Sequence, residues 1–134
     1  MMMLTNNYHY KNEKGEETMK IIRTNIEDLA NNKKDLYILT KGVTTSVQKL
    51  TDEELSVAHP VKDYVLYEDV NTKGEVVEVL AIRTAGFVLS TVSETFKREF
   101  FDIVDIMDSE PFAIRVIKGV TRGGRTFYTC ALDV

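Results

Sequence analysis

One amphipathic stretch interrupts a chain whose other regular segments have the composition of strands. Between positions 93 and 107, apolar side chains recur at helical spacing with charged residues between them. Ser93 or Thr91 is placed to cap the first turn, where Glu94 suits the helix dipole, and Pro111 prevents any extension. The sequence therefore predicts one helix over about 93–107, and we expect Phe96, Phe100 and Phe112 to be core residues.

Strand signals surround this helix and are separated by glycine-containing turns. Segment 36–50 is rich in β-branched and aromatic residues around Gly42, which predicts one bent strand or two short ones. An acidic link, 51–55, follows it. Two hairpins are also predicted, the first with a positive φ at Gly74 and the second with one at Gly123 or Gly124. Their strands span 62–70 and 75–83, then 111–118 and 126–134, and a short β-stretch lies at 86–92.

The order of these elements indicates the fold class. Five strands with a single helix between the third and fourth are the layout of an OB-fold barrel, in which a lone amphipathic helix plugs one end. We therefore expect a mainly β protein, an OB-fold-like five-stranded barrel. The alternative is an open α+β sheet with the helix packed across one face.

Length and composition set further bounds. The chain has 134 residues, a net charge of −4 and one cysteine, which suit a single domain without an internal disulfide. No apolar run is long enough to span a bilayer, so a cytoplasmic location is expected. Residues 1–18 are polar and aperiodic, which predicts a disordered extension before a single domain at 19–134. A purine-rich coding stretch for "KGEET" could precede Met19, and the hypothesis is that Met19 is the natural start.

Signals for catalysis are weak. "GVTRGGRT" lacks the Lys-Ser/Thr pair of a phosphate-binding loop, and a strand-like segment follows it, so we interpret it as a hairpin turn. The two histidines, His9 and His59, offer poor partners for a nucleophile, and Cys130 has the surroundings of a core thiol. The row Asp102, Asp105 and Asp108 is typical of a solvated helix face more often than of a metal site. The sequence predicts a non-enzymatic protein without metal or cofactor.

Basic and aromatic residues are concentrated near the chain's end. Residues 111–134 carry four cationic side chains and one acidic one, Asp133, a local excess of three (4 − 1). Four tyrosines also lie in predicted strands. Basic grooves with aromatic rings are what sequence-tolerant binding of single-stranded nucleic acid requires, although the same rings could instead fill the core. The cations are Arg115, Lys118, Arg122 and Arg125, and the tyrosines are Tyr37, Tyr64, Tyr67 and Tyr128.

Three segments together resemble a known family. The strand pair "DYVLYEDVNTKGEVVEVLAI", the helix start "STVSETFKREFFDI" and the closing "PFAIRVIKGVTRGGRTFYTCAL" are similar to the single-stranded DNA-binding proteins of small phages with protein-primed replication. The resemblance covers roughly residues 36–134. It implies a non-enzymatic OB-fold protein that coats and protects displaced strands in the host cytoplasm and assists the phage DNA polymerase. The ligand-facing residues it implies are Tyr64, Tyr67, Lys118, Arg122, Arg125 and Tyr128, with Lys41 and Arg83 as additions.

A second class of function fits the same sequence. The acidic helix face, formed by Asp102, Asp105, Asp108 and Glu110, could mimic nucleic-acid charge. A small phage protein-interaction module, or an inhibitor of a host enzyme, would use such a face as its contact surface. In the strand-binding interpretation the same acids keep the far side of the protein off DNA.

Overall fold

A computed structural model describes residues 4–5, 9–11 and 17–134 of the chain, and its side chains from Met19 onward. Seven strands and three α-helices lie within 17–134, and two further short strands precede them. The strands are β1 (Leu4–Thr5), β2 (His9–Lys11), β3 (Glu17–Thr24), β4 (Thr45–Ser46), β5 (His59–Val70), β6 (Val76–Thr84), β7 (Val88–Thr91), β8 (Ala113–Val120) and β9 (Thr126–Leu132). The helices are α1 (Lys33–Thr40), α2 (Asp52–Leu55) and α3 (Glu94–Met107), and single 3₁₀ turns form at Leu29–Asn31 and Val47–Lys49.

The strands form a curled, open sheet that resembles half of a barrel. Its main path runs β4–β7–β6–β5–β3, and both β1 and β2 pair with β3. Every pair is antiparallel except β4–β7. The β8–β9 hairpin joins the sheet only at the start of β5, where His59 pairs with Ile114 and Pro60 with Ala113. Because the hairpin makes no other ladder among the described strands, the sheet stays open between β9 and the β4–β7 edge.

This architecture confirms a mainly β fold but corrects two details of the expectation. Five strands and one helix were predicted, whereas residues 17–134 contain seven strands and three α-helices. The sheet formed by the described strands is open, so the predicted OB-fold-like barrel is not confirmed. The elements that were not predicted are β3, α1 and α2, and all three lie before β5. Strand β4 falls within the predicted segment 36–50, and β7 falls within the predicted short β-stretch at 86–92.

Helix α3 confirms the predicted helix within one residue. The Ser93 hydroxyl caps it by accepting a hydrogen bond from the Phe96 N–H, and the chain leaves it through Asp108 in the left-handed conformation. Phe96 and Phe100 are fully buried, and Phe112 packs half-buried against the same cluster. The apolar stripe of α3 thus packs between the sheet and the β8–β9 hairpin.

Both faces of the central strand β5 are covered. Tyr64 and Leu66 point toward α3 and the terminal hairpin, whereas Val65 and Tyr67 point toward α1. Residues 63–67 are consequently buried without interruption, the pattern of a strand between two layers. Two hydrophobic clusters result, one on each side of the sheet.

The prediction of strand over 36–50 is wrong for most of its length. Residues 33–40 form α1, which buries Leu36 and Leu39 against the sheet, and only Thr45–Ser46 is extended. Tertiary packing therefore outweighs the β propensity of this segment. Gly42 follows the helix, and a Cβ there would lie 2.7 Å from the carbonyl oxygen of Ile38. The acidic link is also helical, since Thr51 and Glu54 form a capping box at the start of α2.

Both predicted hairpins are confirmed. Gly74 turns β5 into β6 with φ of 80°, and Gly124 turns β8 into β9 with φ of 83°, conformations that favour glycine. The second turn is tighter than the sequence indicated, because β8 continues through Gly119 to Val120.

The expectation of a disordered segment over 1–18 falls largely on residues outside those that the structure describes. Within it, residues 4–5, 9–11 and 17–18 lie in β1, β2 and β3, and β3 continues through the buried Met19. The start at Met19 and the domain boundary placed there stay predictions. Among the described residues no helix is both long enough and apolar enough to cross a membrane.

Candidate nucleic-acid interface

The tip of the β8–β9 hairpin is held by its own backbone. The Thr121 N–H donates to the Arg125 carbonyl over 2.8 Å, and the Gly124 N–H donates to the Thr121 carbonyl over 3.0 Å. The Thr121 hydroxyl also accepts a hydrogen bond from the Arg125 N–H. These bonds confirm the predicted turn, and they fix the backbone from which the neighbouring side chains project.

Three of the predicted cations lie together on this hairpin. Lys118, Arg122 and Arg125 are exposed, and no carboxylate of the described chain lies within ion-pair distance of any of them. Their charges are therefore not compensated by any residue that the structure describes. A surface of this kind attracts phosphate groups.

Arg115 belongs to a different environment. Its Nε donates to the Asp133 carboxylate over 2.7 Å, and its Nη1 donates to the Ser56 carbonyl over 3.1 Å. This pairing ties β8 to the C-terminal residues and to the end of α2. Arg115 and Asp133 cancel each other's charge, so the local excess of three positive charges is carried by Lys118, Arg122 and Arg125. Arg115 itself is a structural contact.

Phe127 is 42% exposed and lies on the face of the hairpin opposite to Lys118, two positions after Arg125. It pairs across the ladder with Gly119, and a Cβ on Gly119 would lie 2.3 Å from the ring atom Cζ. The ring thus occupies the space that a side chain on β8 would fill. An exposed aromatic ring held close to a cationic hairpin tip is suited to stacking on a base.

Tyr128 lies on the other face of the hairpin, directly across from Lys118. Its ring is half-buried, and its hydroxyl donates to the Gln48 carbonyl over 3.3 Å. Because Gln48 belongs to the 3₁₀ turn next to β4, this bond spans the open side of the sheet. Tyr128 is therefore partly accessible, and its hydroxyl links β9 to the 3₁₀ turn after β4.

A cleft of about 540 Å³ opens beside Tyr128, between β9 and the segment that leads from β7 into α3. Hydroxyl and apolar side chains line it together with Gln48, and none of the described lining residues is charged. The cleft was not predicted from the sequence. The run "STVSET" at 90–95 could have indicated it, because hydroxyl residues between a strand and a helix often remain on the surface.

The two remaining tyrosines of the predicted site are corrected by the structure. Tyr64 is 2% exposed and contacts Phe100 and Phe101 edge to face, and Tyr67 is 7% exposed under α1. Burial raises the pKa of each phenol to about 12. Neither ring can stack on a base in this fold, because both faces of β5 are covered.

Two cations are corrected in the same way. The Arg83 guanidinium forms a bidentate pair with Asp63 and reaches Asp35 over 2.9 Å, which joins α1 to two strands. The hydrogen bonds to Asp63 raise the pKa of Arg83. Lys41 pairs with Asp69 over 2.7 Å. Both residues lie on elements away from the hairpin, and their charges are already compensated.

The residues considered for catalysis stay apart. Cys130 is buried, which raises the pKa of its thiol to about 12, and its N–H donates to Glu99. His59 is buried in β5, where its Nε2 lies 2.7 Å from the Glu54 carbonyl oxygen. Asp102, Asp105 and Asp108 are exposed, and no cluster suited to a metal ion occurs in the described part of the chain. His9 has no described side chain.

Comparison with known protein families, with curated proteins and with solved structures finds no match to this chain.

Proposed function

We propose that this protein binds single-stranded DNA without strong sequence preference, using the β8–β9 hairpin. The observation that carries the proposal is that one hairpin presents three cations without an ion-pair partner in the described chain, Lys118, Arg122 and Arg125. The same hairpin carries Tyr128 on the face of Lys118 and the exposed Phe127 on the opposite face. Cations neutralise phosphates along a strand, and aromatic rings stack on its bases. No catalytic step is part of this function.

The charge distribution supports one binding side. The whole chain has a net charge of −4, so its remaining surface repels the phosphate backbone. Two acids of α3 are engaged within the fold, since Asp105 pairs with Arg23 and Glu99 accepts a hydrogen bond from the Cys130 N–H. DNA is consequently directed to the hairpin.

We also propose that the fold is a variant of the OB-fold barrel. The open sheet keeps the curved surface on which such barrels bind their ligands. A curved sheet with a hairpin beside its open side offers a strand a concave surface and a basic rim. Closure of the barrel is not required for such contacts.

The biological role follows from the family resemblance. The protein would coat and protect strands displaced during phage DNA replication in the host cytoplasm, and the phage DNA polymerase would be a partner. Three phosphate contacts predict a log–log salt slope of about −2.1 for single-strand binding, since each contact contributes roughly −0.7.

Fluorescence anisotropy with a labelled oligo-dT tests the proposal. Binding should weaken by a factor on the order of 20 between ~50 and ~200 mM salt. Unlabelled single-stranded DNA should compete much better than duplex of equal nucleotide concentration. Equal competition by the duplex, or no binding of either at low salt, would refute single-strand binding.

A second candidate function has one specific observation in its favour. Ile106 is 78% exposed on α3 and lies one turn after the exposed Asp102, whereas Glu110, which the sequence placed on the same helix face, is exposed beyond the end of the helix. An apolar side chain within an acidic face suits a contact with a basic protein surface. Under this alternative, neither single-stranded nor duplex DNA binds, and Ile106→Asp abolishes capture of the partner.

A further inference from the structure

The uncharged cleft lies at the opening of the half-barrel, next to the proposed DNA-binding hairpin. Its walls come from β9 on one side and from β7, the start of α3 and the 3₁₀ turn after β4 on the other. The tether from the Tyr128 hydroxyl to the Gln48 carbonyl crosses between these walls. The cleft thus lies where β9 would have to pair with the β4–β7 edge to close the barrel.

We propose that this cleft receives the bases of the bound strand while its phosphates stay outside on the hairpin cations. This inference rests on the proposed single-strand binding, and it adds that the cleft binds the nucleic-acid bases. A volume of about 540 Å³ lies within the range of ligand pockets and accommodates a base with its sugar.

The lining supplies free hydrogen-bonding groups. Ser46, Thr95, Thr126 and Thr129 all line the cleft, and their hydroxyls make no hydrogen bond to any described residue. The capping hydroxyl of Ser93, in contrast, is already engaged. Hydroxyls both donate and accept, so they can pair with the edge of any base. This chemistry fits a binder without strong base preference.

The placement of charge separates bases from phosphates. No lining residue is cationic, so a phosphate in the cleft would lose its hydration without gaining an opposite charge. The cations stand at its border, since Lys118 faces Tyr128 across the ladder and Arg125 precedes Thr126. The hairpin cations would therefore position the strand through its phosphates, while its bases enter the cleft.

The first experiment compares oligo-dT with an abasic oligonucleotide of equal length, which keeps every phosphate and lacks every base. Anisotropy titrations of the full chain should show oligo-dT binding on the order of tenfold more tightly. The salt slopes of the two ligands should agree, because both present the same phosphates to the same cations.

The second experiment removes three of the four free hydroxyls and keeps the side-chain shape. In Thr95→Val/Thr126→Val/Thr129→Val, affinity for oligo-dT should fall at least about fivefold, while affinity for the abasic ligand changes less than about twofold. Thr72→Val, in the exposed turn after β5, is the control and should change neither affinity. Should the triple variant fold poorly, threonine methyl NMR of the unmodified protein replaces it, and Thr95, Thr126 and Thr129 should shift with oligo-dT alone.

The outcomes separate this inference from the proposed function. Tight binding of both ligands with equal affinity keeps single-strand binding and overturns the role of the cleft. Loss of the triple variant's affinity for both ligands alike also overturns it. Failure of either ligand to bind the unmodified protein overturns the proposed function and, with it, this inference.

Discussion

The ring of Phe127 lies over the backbone of Gly119 on the neighbouring strand. The two residues pair across the β8–β9 ladder, and a Cβ added at Gly119 would lie 2.3 Å from Cζ of the ring. Gly119 is not a turn residue, so its role in this hairpin is to leave room for the ring. The proposed stacking position of Phe127 therefore depends on a glycine in another strand.

Gly119→Ala is expected to displace the Phe127 ring without removing it. Affinity for oligo-dT should fall by up to about 1–3 kcal/mol, the value of one stacking contact, with an unchanged salt slope. Gly86→Ala is the matched control, because a Cβ there meets no atom within 4 Å. Isothermal titration of both variants checks the prediction, which fails if Gly119→Ala binds as tightly as the control.

Removing two tip cations should weaken binding through charge alone. Arg122→Ala/Arg125→Ala should make the salt slope less negative by about 1.4, because two phosphate contacts are lost. The control Lys33→Ala/Lys34→Ala removes the same charge from exposed positions of α1, on the other side of the sheet. Salt titrations should show no change of slope for this control, and equal effects of the two variants would refute the site.

Tyr67→Ala tests the corrected position of that residue. Truncating a buried aromatic side chain should lower the free energy of unfolding by about 3–5 kcal/mol. Tyr37→Ala, at a 63% exposed position, should change it by less than about 0.5 kcal/mol. Urea denaturation measures both values. If Tyr67→Ala instead keeps its stability and loses DNA affinity, the ring is a ligand contact after all.

Alkaline pH should destabilise the fold, because one buried thiol and two buried phenols resist losing their protons. Burial raises the pKa of Cys130 from 9.0 to about 12, and those of Tyr64 and Tyr67 from 10.0 to about 12. Above pH 9 the unfolded chain loses the thiol proton that the folded chain keeps, so stability present below pH 9 is lost as pH rises toward 12. In Cys130→Ala the onset of this loss should move upward by about one pH unit, toward the ordinary tyrosine value of about 10. Thermal denaturation between pH 7 and 11 checks the onset, and an identical pH profile for both proteins would contradict it.

The elements that the sequence predicts correctly are those whose signals are local. Helix α3 carries its own apolar period and its own cap at Ser93, and each hairpin carries a glycine at its turn. In contrast, β3 pairs with residues 65–69 of β5, more than 40 positions away, and no local pattern announces that partner. Helix α1 depends on packing of Leu36 and Leu39 against the sheet, which a propensity argument does not contain.

The wrong assignment of α1 also explains part of the wrong site. A strand over 36–50 leaves the second face of β5 uncovered, so Tyr67 seemed available to a ligand. With α1 in place the ring is enclosed, and its hydroxyl lies 3.4 Å from the Thr40 carbonyl. The hairpin cations were predicted correctly as exposed because turns project from a fold whatever packs beneath it. Phe127 was not among the predicted site residues, and its place in the proposed site depends on the cross-strand space at Gly119.

The open side of the half-barrel has a topological consequence for any strand that it binds. A ring-shaped channel must be threaded from a free end, whereas a gap spanned by one hydrogen bond, from Tyr128 to Gln48, can be filled laterally. Under the proposed function, a covalently closed single-stranded circle should therefore be bound as fast as a linear strand. The protein could load onto an internal stretch of DNA whose two ends are both held elsewhere.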